Sequence, residues 1–151
     1  MMLGIHRSAL IPFSADKMYK LINDVCAYPE FLPGCVGSKV INVTDNEMIA
    51  AVKIAKAGIH KTFITRNTLM TNRSINIELI EGPFRALTGS WKLTALSPRA
   101  CQIDFHLDFE FTNKLLALAF GGLFKDLGEN MLEAFTKRAK VIYGVDERIA
   151  F

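Results

Sequence analysis

The chain has 151 residues, half of them hydrophobic and 22% charged, which fits one folded domain and excludes a disordered chain. Lysine and arginine exceed aspartate and glutamate by only three, too mild a bias for a protein that simply coats nucleic acid. Three scattered cysteines, Cys26, Cys35 and Cys101, form no CxxC pair and exclude a disulfide scaffold. The start of the chain has too short an apolar run for a signal peptide, and Leu115–Phe124 is too short to span a bilayer. The expectation is a single cytoplasmic domain over residues 1–151, with the thiols reduced, buried and inert.

Leu3, Ile5, Ala9 and Ile11 fall at mostly even spacing and predict a strand over Leu3–Ile11. Ser14 then suits a helix N-cap, with Phe13 and Met18 placed for a hydrophobic staple. Met18, Leu21, Ile22 and Val25 form the apolar stripe of this short helix. The following YPEFLPGC predicts a compact aromatic–proline segment, with a turn at Pro33-Gly34.

From Val36 to Phe111 the pattern is β. Runs at Val36–Val43, Met48–Ile54, Lys61–Met70, Ile75–Leu79 and Leu87–Leu93 are separated by Asp45-Asn46, Gly58, Gly82-Pro83 and Ser97-Pro98. Gly89 marks a bulge or a close approach. Cys101–Phe111 alternates most cleanly, with Ile103, Phe105, Leu107, Phe109 and Phe111 on one face. Asp104, His106, Asp108 and Glu110 lie on the other, which must be wet. Short connections favour an antiparallel meander.

Beyond Phe111 the period becomes helical. Phe120, Phe124, Leu127, Met131, Phe135 and Ile142 predict one long helix from about Asn113 to Tyr143, with a weak point at Gly121-Gly122. The run LLALAFGGLF reads as a buried helix start; the alternative is an exposed surface touching membrane or a hydrophobic ligand, with Lys114 and Lys125 near headgroups. The economical arrangement is α+β: a curved antiparallel sheet wrapped around the long helix. Trp91, Phe105, Phe109, Phe120 and Phe124 are the candidate walls of a hydrophobic pocket between these layers, and the Trp91 N–H suits a polar headgroup.

His106, Asp108 and Glu110 are metal-ligand types at i, i+2 and i+4. Alternate strand residues lie ~6.6 Å apart, whereas ligands meet a metal at ~2.0–2.3 Å. A wet face explains them better, and no metal is expected. No nucleophile, zinc, phosphate-loop or dinucleotide motif is present, so no residue carries an enzymatic role. Charge is unevenly placed. Residues 36–75 hold Lys39, Lys53, Lys56, Lys61, Arg66 and Arg73 against Asp45 and Glu47, a net of +4, whereas residues 76–110 net −2. Lys53, Lys56 and Lys61 surround the turn near Gly58 and, with Arg66, are the candidate phosphate contacts.

The segments YPEFLPGCVGS, KAGIHKTFITRN, EGPFRALTGSWKL and FHLDFEFTNKLLALAFG, in this order over residues 3–143, resemble the RatA-type ribosome-association toxins of the coenzyme Q-binding, START-like polyketide-cyclase superfamily. The resemblance implies a helix-grip fold and no enzymatic activity. It implies binding to the large (50S) ribosomal subunit, which blocks 70S association and translation initiation. Coenzyme Q-binding relatives imply the alternative, carriage of ubiquinone or another hydrophobic lipid, with peripheral membrane contact. No cofactor is required and no DNA partner is expected. Tyr28, Pro29, Phe31, Leu32 and Pro33 match the shared YPEFLP element, where the expected role is to shape a cavity edge or contact surface.

Overall fold

The computed structural model describes residues 2–144. The ends of the expected 1–151 domain lie outside the described residues. β1 (Leu3–Ile11) is followed by α1 (Ala15–Asn23) and a 3-10 segment, Val25–Glu30. Six strands come next: β2 (Cys35–Val43), β3 (Glu47–Lys56), β4 (Ile59–Met70), β5 (Ser74–Glu81), β6 (Phe84–Ser97) and β7 (Ala100–Phe111). α2 (Lys114–Tyr143) ends the described fold. The alternating pattern therefore located every strand, and the helical period located α2 to within a residue.

The sheet is antiparallel throughout, in the order β1-β7-β6-β5-β4-β3-β2. β2 to β7 form a meander, and β1 closes on β7 from Leu3↔Phe109 to Ile11↔Cys101. Register shifts in β2, between Ile64 and Thr65 of β4, and at both ends of β6 bend the strands and raise the local twist. Pairing of β5 with β6 stops at Glu78↔Thr88, while β6 stays paired with β7 as far as Phe84. The result is a coiled sheet with one concave, apolar face. Gly89 is a close approach: a Cβ there would lie 3.0 Å from the His106 carbonyl oxygen. The β3–β4 turn puts Ala57 and Gly58 both at positive φ, the backbone of a tight two-residue hairpin.

α2 lies across the concave face. Asn113 Oδ1 accepts from the Leu116 N–H at 2.9 Å and caps its start. Phe120, Phe124, Leu127, Leu132, Phe135 and Ala139 are its buried stripe. Burial of each large side chain contributes about 1.5–3 kcal/mol. Phe124 meets Phe63, Phe84, Phe109 and Phe111, with its closest centroid at 4.8 Å on Phe109. Phe135 meets Trp91, Phe31 and Tyr28. At the far end the Tyr143 hydroxyl donates to the Lys17 carbonyl at 2.9 Å, tying α2 to α1.

Five expectations need correction. The stripe ends at Ala139, not Ile142, which is half exposed; in the last turn the inward contact is made by Tyr143, against Phe13 and the Lys17 carbonyl. Met131 is only partly buried, and Leu132 takes the central position. The run LLALAFGGLF is not uniformly buried: Leu115 and Leu118 are 76% and 83% exposed on the outward side of α2, whereas Leu116, Ala119, Phe120, Leu123 and Phe124 pack against the core. Cys26 is exposed on the 3-10 segment, whereas Cys35 and Cys101 are buried. Gly121-Gly122 does not break α2, which runs as one helix through the pair.

Two outcomes are expected. Phe135→Ala should cost about 3–5 kcal/mol in urea unfolding, because it empties the junction of α2, β6 and the 3-10 segment. A thiol reagent should modify Cys26 alone in the folded protein, since burial pushes the Cys35 thiol up and the Cys101 thiol up to about 11. Mass spectrometry of partly labelled protein checks the order, and rapid labelling of Cys101 would contradict the packing.

Candidate functional site

The apolar face and α2 enclose a small cavity. Its walls come from β3 (Ala50, Val52), β4 (Phe63, Thr65, Asn67), β6 (Leu87, Trp91), β7 (Phe105, Leu107) and α2 (Phe124, Leu127, Gly128, Met131). Tyr28, Leu32 and Cys35 close the end nearest the 3-10 segment. Its volume is about 100 Å³. That is well below the roughly 300–1,000 Å³ of pockets that enclose whole drug-sized ligands, and it suits a single ring at most.

The pocket candidates divide. Trp91, Phe105 and Phe124 line the cavity. Phe109 and Phe120 do not, although both are almost completely buried. Phe109 instead fills the aromatic cluster of Phe84, Phe111 and Phe124 that closes one end of the sheet. Trp91 packs on Phe105 with centroids 4.4 Å apart.

Thr65 and Asn67 were not singled out from the sequence. They are 5% and 8% exposed, and both line the cavity. The Thr65 hydroxyl donates to Asn67 Oδ1 at 2.9 Å. Among the described residues no protein group accepts from the Asn67 amide nitrogen. That nitrogen is open to the cavity and not sealed in the wall, the buried unpaired side-chain atoms among the described residues being Asn23 Oδ1 and Arg138 Nε, so a small polar group in the cavity can accept its hydrogens. The parity of β4 carries the signal, with Phe63, Thr65, Asn67 and Leu69 on the inward face. The neighbouring Ile64 obscured that alternation in the sequence.

The YPEFLP element is the bracket between the 3-10 segment and α2. The Tyr28 hydroxyl is bonded to the Ile22 carbonyl at the end of α1, and burial pushes its pKa up. The Phe31 ring meets Phe135 at 5.1 Å. Glu30 pairs with Arg138 at 2.8 Å, and the Arg138 guanidinium lies over Phe31. Leu32 is buried, while Pro29 and Pro33 are exposed and stiffen the turns. Tyr28 and Leu32 thus reach the cavity, and the remaining members hold α2 against it.

The four candidate phosphate contacts do not form one face. Lys53 points away from α2, beside Lys39 and Thr62 on the outer sheet surface. Arg66 is on the same outer face but is held between Glu47 at 3.0 Å and Glu78 at 3.3 Å. Those carboxylates hold its guanidinium firmly protonated and offset its charge. Lys61 lies on the α2 side, in a depression shared with Leu116 and Pro83. Lys56 is exposed beside the Ala57-Gly58 turn. Lys53, Lys56 and Lys61 make no ion pair among the described residues.

On the outer face of β7, His106 Nε2 lies 3.1 Å from Asp108 Oδ2 and stacks on His6 at 5.6 Å. Asp104 accepts from the Ser8 hydroxyl at 2.7 Å. This is a hydrogen-bonded sheet surface, and no group of three such ligand types among the described residues is placed to hold a metal ion.

Comparison with known proteins adds four findings. The family described as polyketide cyclase / dehydrase and lipid transport matches residues 11–136. The "Ribosome association toxin RatA" of Escherichia coli is 59% identical over 139 residues, covering 92% of this chain and 88% of that protein. The mitochondrial "Coenzyme Q-binding protein COQ10 homolog B" of Xenopus laevis is 27% identical, covering 93% of this chain and 59% of that protein. Among solved structures, a START superfamily protein from Mycobacterium smegmatis superposes with a TM-score of 0.72 at 17% identity, covering 92% and 98% of the two chains, which establishes the shared helix-grip fold. The chain therefore belongs to the polyketide cyclase / dehydrase and lipid transport family and, within it, to the RatA ribosome-association toxins.

Proposed function

We propose that this protein binds the large ribosomal subunit and blocks its joining to the small subunit, inhibiting translation initiation without catalysis. The observation that carries the reading is the 59% identity to the Escherichia coli toxin over nearly the whole of both chains. The mechanism is steric: one folded body occupies a surface that the other subunit needs. Lys53, Lys56 and Lys61, unpaired around the β3–β4 turn, supply charge toward ribosomal RNA phosphates. Arg66 contributes less, because Glu47 and Glu78 already hold it. Purified protein should co-sediment with 50S particles. Charge reversal at Lys53, Lys56 and Lys61 together should weaken that binding and flatten its salt dependence. Arg66→Ala should change it little. Triple-variant binding equal to wild type would move the contact elsewhere.

The cavity favours a second activity on the same fold, binding of ubiquinone or another hydrophobic molecule. The supporting observation is the Thr65–Asn67 pair in an otherwise apolar wall. The free Asn67 N–H suits a carbonyl oxygen on a ring, with Trp91 and Phe105 as the flat surface beside it. At about 100 Å³ the cavity takes a ring and not its tail, so loading a lipid requires α2 to move outward. Replacing both members, Thr65→Val with Asn67→Leu, removes the pair without stranding either partner. Thermal stability should stay level or rise. Quenching of Trp91, the sole tryptophan, by short-chain ubiquinone should be lost. Unchanged quenching in the double variant would contradict this assignment.

A further inference from the structure

The first turns of α2 carry an anomaly that neither the fold nor the cavity uses. Leu115 and Leu118, one turn apart, are 76% and 83% exposed. Lys114 and Lys125 flank them, and both lysines are exposed. The β3–β4 turn repeats the arrangement, with Ile59 half exposed between Lys56 and Lys61. Lys61 and Leu116 line one depression, so the two protrusions are neighbours at the same end of the molecule.

The charge pattern of these segments is one-sided. Residues 48–77 and 111–125 contain no aspartate or glutamate, although the chain carries fifteen acids in all. Carboxylates stand at its borders: Glu81 beside Lys61, and Glu110 in the cleft that also holds Arg85 and Lys114. Lys125 lies on the same helical stripe, about two turns beyond Leu118, and pairs with Glu129 at 3.8 Å.

We propose that this end, formed by Leu115, Leu118 and Ile59 with Lys56, Lys61, Lys114 and Lys125 around them, docks on an anionic lipid surface. The aliphatic tips enter the headgroup boundary and the ammonium groups meet lipid phosphates. An RNA partner explains the lysines but not the leucines, since RNA is held through phosphates and through stacking on aromatic or arginine planes. Among the described residues no aromatic side chain is in the set of exposed large hydrophobics. A solvated helix face explains neither exposed leucine. The contact is at the membrane surface, and among the described residues no helix is long and apolar enough to cross it. This inference goes beyond the ribosomal reading and stands or falls separately from it.

Vesicle flotation tests it, using phosphatidylcholine alone and phosphatidylcholine doped with phosphatidylglycerol. The full chain should float with the anionic vesicles and far less with the neutral ones. Added salt should reduce the binding. The double variant Leu115→Ser, Leu118→Ser should bind more than about tenfold more weakly, as expected from losing two inserted leucines. Both positions are exposed, so its thermal unfolding should match wild type. Lys53→Glu, on the outer sheet face, should leave flotation unchanged. Absence of flotation with anionic vesicles, or equal flotation of the leucine variant, overturns the proposal. A leucine variant that loses 50S co-sedimentation, in a protein that never floats, assigns the patch to the ribosome and overturns it equally.

Discussion

The structure depends on one packing event, the burial of the aromatic stripe of α2 in the concave face of the coiled sheet. Phe124 and Phe135 sit about three turns apart on that stripe and each gathers a separate ring cluster. Phe124 draws Phe63, Phe84, Phe109 and Phe111 together from β4, β6 and β7. Phe135 draws Trp91 of β6 toward Tyr28 of the 3-10 segment and Phe31 just after it. Without α2 the sheet would expose a broad apolar face, and without the sheet α2 would have no partner for its stripe. The cavity is the space left between these two clusters, where Leu127, Gly128 and Met131 lie opposite Thr65 and Asn67.

That arrangement separates the roles of the surfaces. The inner face makes the fold and holds the cavity. The outer face of β7 is closed by its own hydrogen bonds, Ser8 to Asp104 and His106 to Asp108. The unpaired lysines lie around the β3–β4 turn, with Lys61 beside Leu116 at the start of α2. Ribosomal contact and lipid docking share Lys56 and Lys61, but Lys53 belongs to the first alone and Leu115 and Leu118 to the second alone, so substitutions at those unshared positions separate them, while Thr65 and Asn67 address only the cavity.

Much of this was legible in the sequence because the fold rests on strict periods. Alternation in Cys101–Phe111 fixed both faces of β7, and helical spacing from Phe120 to Phe135 fixed the buried side of α2. The cap at Ser14 and the staple of Phe13 and Met18 located α1, where Ser14 Oγ accepts from the Lys17 N–H. What was not legible depends on position rather than period. Leu115 and Leu118 match a buried helix start in composition, and they are exposed because α2 turns Leu116, Phe120 and Phe124 toward the sheet instead. Lys53 and Lys61 look like one cluster in the chain, but strand pleating puts them on opposite sheet faces. Asn67 reads as a solvent-facing strand residue until the parity of β4 turns it inward. Cys26 resembles Cys35 in sequence, and differs because the 3-10 segment presents it outward.

The central claim is obstruction of subunit joining by a folded body without catalysis, and light scattering from purified ribosomal subunits tests it most directly. Adding this protein to 50S subunits before the 30S subunits should suppress the rise in scattering that marks 70S formation. The suppression should saturate near one protein per 50S subunit and reverse on dilution. Normal 70S formation at a several-fold excess of protein over 50S would contradict the account, as would inhibition that grows with time at substoichiometric protein, the mark of an enzyme acting repeatedly.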